Sequence, residues 1–240
     1  MNTVVLLPGL ICDHANWAAQ QEALRAVGYD TLIIDYGQSN TIAGMAELVL
    51  SQAPEQFVVI GHSMGGRVAL EVVRQAAERV TALILMDTGY LPLAQGDQGQ
   101  QEVAGRMALV EQAQRDGMRA MGERWMQGMV LPEHLQDQPL CNAILDMIER
   151  KTPEQFANQQ HALIHRPDAS PVLSALTCPT CFICGDQDAW SPLTRHHEMA
   201  KLVPGAAPVF SIQNSGHMST MEQPQQVNDV ILSWLQTLQP

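Results

Sequence analysis

Short apolar runs alternate along this chain with longer stretches whose apolar residues recur every three or four positions. The runs are Thr3–Leu7, Thr31–Ile34, Phe57–Ile60, Val80–Met86, Thr180–Cys184 and Pro208–Ile212. Most are apolar at consecutive positions, which marks strands buried on both faces, as in a parallel sheet. Between them, helical periodicity predicts Asn16–Val27, with Asn16 as cap and Gly28 as stop, then Thr41–Gln52 and Met64–Ala77. Further on it predicts Pro192–Leu202 and Pro224–Leu238. Strand and helix in strict alternation imply an α/β fold, a mainly parallel sheet of about six strands flanked by helices.

The rhythm breaks between Gly89 and Asp168. No convincing strand occurs there, and Met107–Gln114, Gly117–Gln127, Pro139–Arg150 and Pro153–Ile164 read as helices. Residues 89–170 are therefore expected to be a helical cap inserted into a core made of 1–88 and 171–240. Six of the thirteen methionines lie in this segment: Met107, Met118, Met121, Met126, Met129 and Met147. Methionine lines adaptable apolar surfaces, so a pocket roof is one reading. Plain filling of a helical core is the simpler one.

Composition narrows the function classes. Net charge is −12 and the chain has two lysines, which argues against nucleic acid or an anionic membrane as partner. A neutral small molecule, or an anion met by local arginines, fits better. No apolar run approaches the roughly 20 residues needed to span a bilayer. The start, Met1-Asn2-Thr3, lacks the basic region of a signal peptide, so the expected location is cytoplasmic. Five cysteines, an odd number, fit free thiols in a reducing compartment. Cys178 and Cys181 have zinc-like spacing but run into a strand pattern, so buried thiols are expected rather than a metal site.

The chemistry centres on Gly61-His62-Ser63-Met64-Gly65, set between a predicted strand and a predicted helix. A serine on such a turn is strained, with its hydroxyl pointing out of the fold, and the glycines give the turn room. The serine needs a base, and the base an orienting carboxylate. His217 follows the last strand, where an open α/β sheet gathers its chemistry. Asp188, beyond the Thr180–Cys184 strand, is the favoured acid, with Asp186 its near rival and Asp87 the alternative at the end of Val80–Met86. The oxyanion donors are assigned to the backbone N–H groups of Leu10 and Met64. His62 is expected to turn its ring away from the pocket. Arg67 and Trp190 are candidate substrate contacts, although Arg67 reads first as a helix residue with its charge in solvent. The arginines of the insertion could form an anion clamp, with solvated helix faces the simpler account. The chemistry requires no cofactor.

Together, Gly61-His62-Ser63-Met64-Gly65-Gly66, Gly185-Asp186-Gln187-Asp188 and Gly216-His217 resemble the α/β-hydrolase superfamily over nearly the whole chain. The resemblance implies nucleophile, acid and base in that order, a cap between the fourth and fifth strands, and the activity of a small capped serine esterase or enol-lactonase. Trp17 looks like the tryptophan often found on that family's first helix. Pro8-Gly9 stands where the family commonly has His-Gly, and the usual opening antiparallel hairpin is missing. Ser63-Met64-Gly65-Gly66-Arg67 is also similar to the menaquinone-pathway synthase that eliminates pyruvate, in which the arginine helps hold an anionic substrate. A cofactor-free dioxygenase and a hydrolase-like receptor are the remaining alternatives.

Overall fold

The computed structural model describes residues 3–205 and 207–238; the ends of the expected core, with Met1 and Asn2, lie outside them. Its strands are β1 (Thr3–Leu7), β2 (Asp30–Ile33), β3 (Phe57–His62), β4 (Val80–Met86), β5 (Thr180–Gly185) and β6 (Val209–Ile212). They form one sheet in the order β2-β1-β3-β4-β5-β6, and every pairing is parallel. The chain moves outward in one direction from β1 and in the other from β3. The reversal leaves the carboxyl ends of β1 and β3 side by side, where Leu7 pairs with Gly61. Such a switch point is where open sheets hold ligands.

Consecutive strand residues serve opposite faces. Val5, Leu7, Val59, Leu83 and Leu85 join one core, while Val4, Leu6, Val58, Ile60 and Ile84 join a second. Full burial of each such side chain contributes about 1.5–3 kcal/mol. The chain covers these faces with α1 (Ala18–Ala26), α2 (Ile42–Gln52) and α3 (Met64–Ala76). Between β4 and β5 come α4 (Asp97–Asp116), α5 (Met118–Met126), α6 (Gln138–Glu149) and α7 (Pro153–Ile164). The remainder are α8 (Ser170–Ser174), α9 (Leu193–Leu202), α10 (Ser219–Glu222) and α11 (Pro224–Thr237). Leu24 of α1 and Ile231 of α11 pack on one face; Met45, Val68, Leu173 and Met199 bring α2, α3, α8 and α9 to the other. No described helix is long and apolar enough to cross a membrane.

Local signals explain most boundaries. Thr41 caps α2 by accepting the Gly44 N–H at 3.0 Å. Thr152 and Gln155 form a reciprocal capping box at α7, with Pro153 at its first position. Two expectations need correction. The first helix is not capped by Asn16: Asp13 accepts the Ala15 N–H at 2.9 Å, a 3-10 turn covers His14–Trp17, and α1 begins at Ala18. The carboxylate three residues earlier wins because Asn16 is buried in the turn. The helix expected at Met107 starts ten residues sooner, at Asp97. Its first six residues, Asp97 to Glu102, are largely polar and carry no core-facing stripe, so periodicity missed them. Of the six methionines between β4 and β5, Met107 is exposed and the other five are buried in the core, so filling is their main role. All five cysteines are free; four are buried and Cys178 is only part-buried.

Candidate active site

The turn after β3 forces Ser63 to φ 54° and ψ −115°, a left-handed conformation that L residues avoid. Hydrogen bonds hold it there: Ser63 N–H donates to Met86 O at 2.9 Å, and Thr88 Oγ1 donates to Ser63 O at 2.6 Å. The glycines are steric necessities. A Cβ on Gly61 would lie 2.4 Å from Gly65 O, and one on Gly65 would lie 2.1 Å from Leu7 O. Helix α3 begins at Met64, so its first N–H groups point toward the serine.

His217 sits in the loop between β6 and α10, with Nε2 2.8 Å from Ser63 Oγ. Its Nδ1 is 2.8 Å from Asp188 Oδ2. Asp188 Oδ1 accepts two further N–H groups, from Trp190 and Ser191, each at 2.8 Å. Burial alone would raise the Asp188 carboxyl, but the His217 ring and those backbone donors outweigh it and hold it below the usual carboxylate range. Burial likewise opposes charge on His217, and the Asp188 carboxylate overcomes this and raises the imidazole above its ordinary value. An ionised carboxylate therefore holds Nδ1–H and leaves the Nε2 lone pair for the serine proton.

The rival acids occupy other positions. Asp186 accepts the Ser215 N–H at 3.1 Å. Asp87 accepts the Gly185 N–H at 2.8 Å, pairs with Ser219 Oγ, and does not bond to His217. Burial, and then the neighbouring Asp188 charge, raise Asp87. Asp87, Cys184 and Asp188 do gather within 4.8 Å. Their chemistry fits a metal poorly: the carboxylate oxygens are taken by donors, and burial keeps the Cys184 thiol protonated.

His62, which sequence reasoning set aside, and residues it did not consider support the histidine. His62 Nε2 donates to His217 O at 2.8 Å, and burial lowers its pKa to about 3, so the ring is neutral. Buried Trp17 meets the His62 ring edge-on. Glu222 accepts from Gly216 and Met218, which flank the base, at 3.0 and 3.2 Å. Its other oxygen accepts from Leu131 N at 3.0 Å and His134 Nδ1 at 2.9 Å, both between β4 and β5. Met129 O takes the His217 and Met218 N–H groups at 2.9 and 3.2 Å. Nothing in the local pattern singles out Glu222; a lone acid before a helical run reads as surface.

The loop after β1 is held on two sides. Tyr36 OH donates to Pro8 O at 3.1 Å, and Gln159 Oε1 of α7 accepts the Ile11 N–H at 2.7 Å. Ile11 adopts φ 53°. Leu10 and Met64 face the same cavity as Ser63 and His217.

That cavity has a volume of about 780 Å³ and runs from the serine under α4 and α7. Trp190 lines it, with the Arg106 guanidinium over its ring at 5.5 Å. Arg67 is not in open solvent as first expected: it lines the cavity and donates to Leu91 O at 2.9 Å. The arginines between β4 and β5 divide. Arg115, Arg119 and Arg150 form surface ion pairs, whereas Arg106, Arg124 and Arg166 line the cavity.

Known proteins are similar to this chain over most or all of its length. The chain is 27% identical to a pimeloyl-[acyl-carrier protein] methyl ester esterase of Aliivibrio fischeri, covering 98% of itself and 92% of that protein. It is also 27% identical to a 2-succinyl-6-hydroxy-2,4-cyclohexadiene-1-carboxylate synthase of Salmonella agona, covering 95% of itself and 91% of the synthase. Among solved structures, a thermophilic esterase from Thermogutta terrifontis with malate bound superposes with a TM-score of 0.84, at 28% identity. That match covers 100% of this chain and 91% of the esterase. The sequence model of the alpha/beta hydrolase family matches residues 4–230, and with the six-stranded parallel sheet this makes the chain a member of that family.

Proposed function

We propose that the protein is a serine hydrolase that cleaves a small carboxylic ester, thioester or lactone. The observation that carries the reading is the unbroken chain Ser63 Oγ, His217, Asp188, with both links at 2.8 Å and its serine end open to the cavity. His217 Nε2 takes the Ser63 proton as Oγ attacks the carbonyl carbon. The carbonyl oxygen becomes an oxyanion against the Leu10 and Met64 N–H groups. One such donor is worth about 10²–10³ in turnover. The tetrahedral species collapses, the alcohol or thiol leaves with the proton from His217, and the acyl group stays on Oγ. Water then gives a proton to His217 and attacks the acyl carbon, and the released acid regenerates Ser63. Asp188 keeps the imidazole in register and offsets its charge.

Residues 89–170 act as a cap that closes the cavity over Ser63. Five free thiols support a reducing, cytoplasmic setting. A second reading, elimination of pyruvate by the same three residues, draws support from the synthase relative and the arginines in the cavity.

Intact mass after treatment with a fluorophosphonate, beside a Ser63→Ala control, tests the nucleophile. A single adduct lost in the control is expected, followed by hydrolysis of short p-nitrophenyl esters or lactones. An adduct with no hydrolysis across the panel would favour elimination. No adduct on folded protein would refute an activated Ser63.

A further inference from the structure

We propose that Gly105 and Gly128 set the size of substrate this site accepts: where their side chains are missing, the cavity takes an apolar chain of the ester or thioester. The inference rests on Ser63 being the reacting group and names the substrate class of that same site.

A glycine weakens local structure unless the backbone or the packing needs it. The chain has 17 glycines. Five adopt positive φ, and ten more would carry a Cβ 3.1 Å or less from a neighbouring residue. Among the described residues only Gly105 and Gly128 have neither reason. Neither has positive φ, and a Cβ added to either would meet nothing within 4 Å. Both line the cavity that reaches Ser63 and His217.

Gly105 is the more telling of the two, because it stands in the interior of α4, where glycine is among the poorest helix formers. Gln98, Gln101, Glu102, Gly105 and Leu109 follow one another at three- and four-residue spacing along α4, and all of them line the cavity. One face of the helix is therefore cavity wall. That face is polar as far as Glu102 and apolar at Leu109, and the missing side chain lies at the change. Arg106, next along, is engaged elsewhere, with Glu102, Gln160 and the Trp190 ring.

Gly128 lies in the turn that follows α5, the helix packed on α4. Its cavity-lining neighbours Trp125 and Met129 are both buried. Met129 O also takes the His217 N–H at 2.9 Å, which ties this wall to the catalytic end. Leu109, Trp125 and Met129 thus border the space that a side chain at either glycine would fill. Apolar walls around open space suit a methylene chain, each buried CH₂ being worth about fourfold in affinity.

Three measurements test this. Gly105→Ala should raise Tm by about 2–4 °C, since a methyl group there displaces nothing and favours the helix. A lower Tm would show that the glycine serves the fold, and would overturn the proposal. Next, methyl acetate, methyl hexanoate and hexyl acetate are titrated calorimetrically into Ser63→Ala protein. The better of the two long esters is expected to bind at least tenfold tighter than methyl acetate, and Gly105→Leu or Gly128→Leu added to that background should remove most of the difference. Last, kcat/KM is measured on active protein as two ratios, p-nitrophenyl hexanoate over acetate and hexyl acetate over ethyl acetate. At least one ratio is expected to fall tenfold or more in each leucine variant. Both should hold in Ala104→Leu, an exposed neighbour that does not line the cavity. A fall in the first ratio alone puts the acyl chain in the gap, and a fall in the second alone puts the alcohol there. Long esters that bind no tighter than methyl acetate overturn the proposal, as do ratios that neither leucine variant moves. The binding measurement reads out even if Ser63 does not hydrolyse esters. Robust hydrolysis with unmoved ratios refutes the chain site alone.

Discussion

Replacing Asp188 by asparagine tests the reading of the site most sharply, because the surrounding hydrogen bonds dictate how the amide must lie. In the wild type, Oδ1 accepts from Trp190 and Ser191 and Oδ2 accepts from His217 Nδ1. Asparagine has one acceptor oxygen. If its NH₂ faced the two backbone donors, the buried Ser191 N–H and the part-buried Trp190 N–H would lose their partner, at about 1–3 kcal/mol for the buried one and less for the other. The oxygen therefore stays on Trp190 and Ser191, and the NH₂ turns to His217. Nδ1 must then accept, the ring proton moves to Nε2, and Nε2 can no longer take the serine proton. A wrong-tautomer base of this kind costs about 10⁴ in kcat. That corresponds to ~5.5 kcal/mol at 1.36 kcal/mol per decade. The assay is kcat on a p-nitrophenyl ester beside the rate of fluorophosphonate labelling, with thermal melting as the fold control. The pH profile adds a signed readout. His217 works as base when deprotonated, and its pKa is raised, so the wild-type acid limb should lie above 6.5. Without the carboxylate, burial dominates and the residual limb should move to lower pH. A folded variant with kcat within about tenfold of wild type and an unmoved limb refutes the reasoning and transfers the acid to Asp87 or Asp186.

Two further substitutions probe contacts between the residues that separate β4 from β5 and the rest of the chain. Gln159→Ala removes the buried acceptor of Ile11 N–H and frees the loop that carries Leu10. We expect kcat to fall about tenfold to a hundredfold with KM little changed, and an unchanged kcat on folded protein would make that contact purely structural. Glu222→Gln leaves one oxygen for four donors, so about two are lost, at roughly 3 kcal/mol in total and a Tm drop of about 6–12 °C. A melting point within 2 °C of wild type would show that the His217 loop does not depend on it.

Some of this was legible from residue order and some was not, and the division follows the range of the forces involved. Residues 57–67 declare strand, turn and helix within eleven positions, because the steric demands at Gly61 and Gly65 are local. Consecutive apolar residues in Phe57–Ile60 and Val80–Met86 likewise announce strands buried on both faces, and the parallel sheet follows. Ser63, Asp188 and His217 could be nominated because each stands just beyond a strand. Their meeting at 2.8 Å depends on β3, β5 and β6 lying in register, which residue order alone does not measure. Arg67 shows the limit plainly. Helical period puts it on a polar face of α3, but only residues far along the chain, among them Glu102, Arg106 and Arg166, turn that face into a cavity wall. Gln159 and Glu222 were invisible for the same reason, since their partners at Ile11 and Leu131 are 148 and 91 positions away. Short-range sterics and hydrophobic period thus determined the elements, the elbow and the candidate nucleophile. Long-range packing alone decided which acid faces the histidine, what holds its loop, and that an acidic protein gathers five arginines around one cavity.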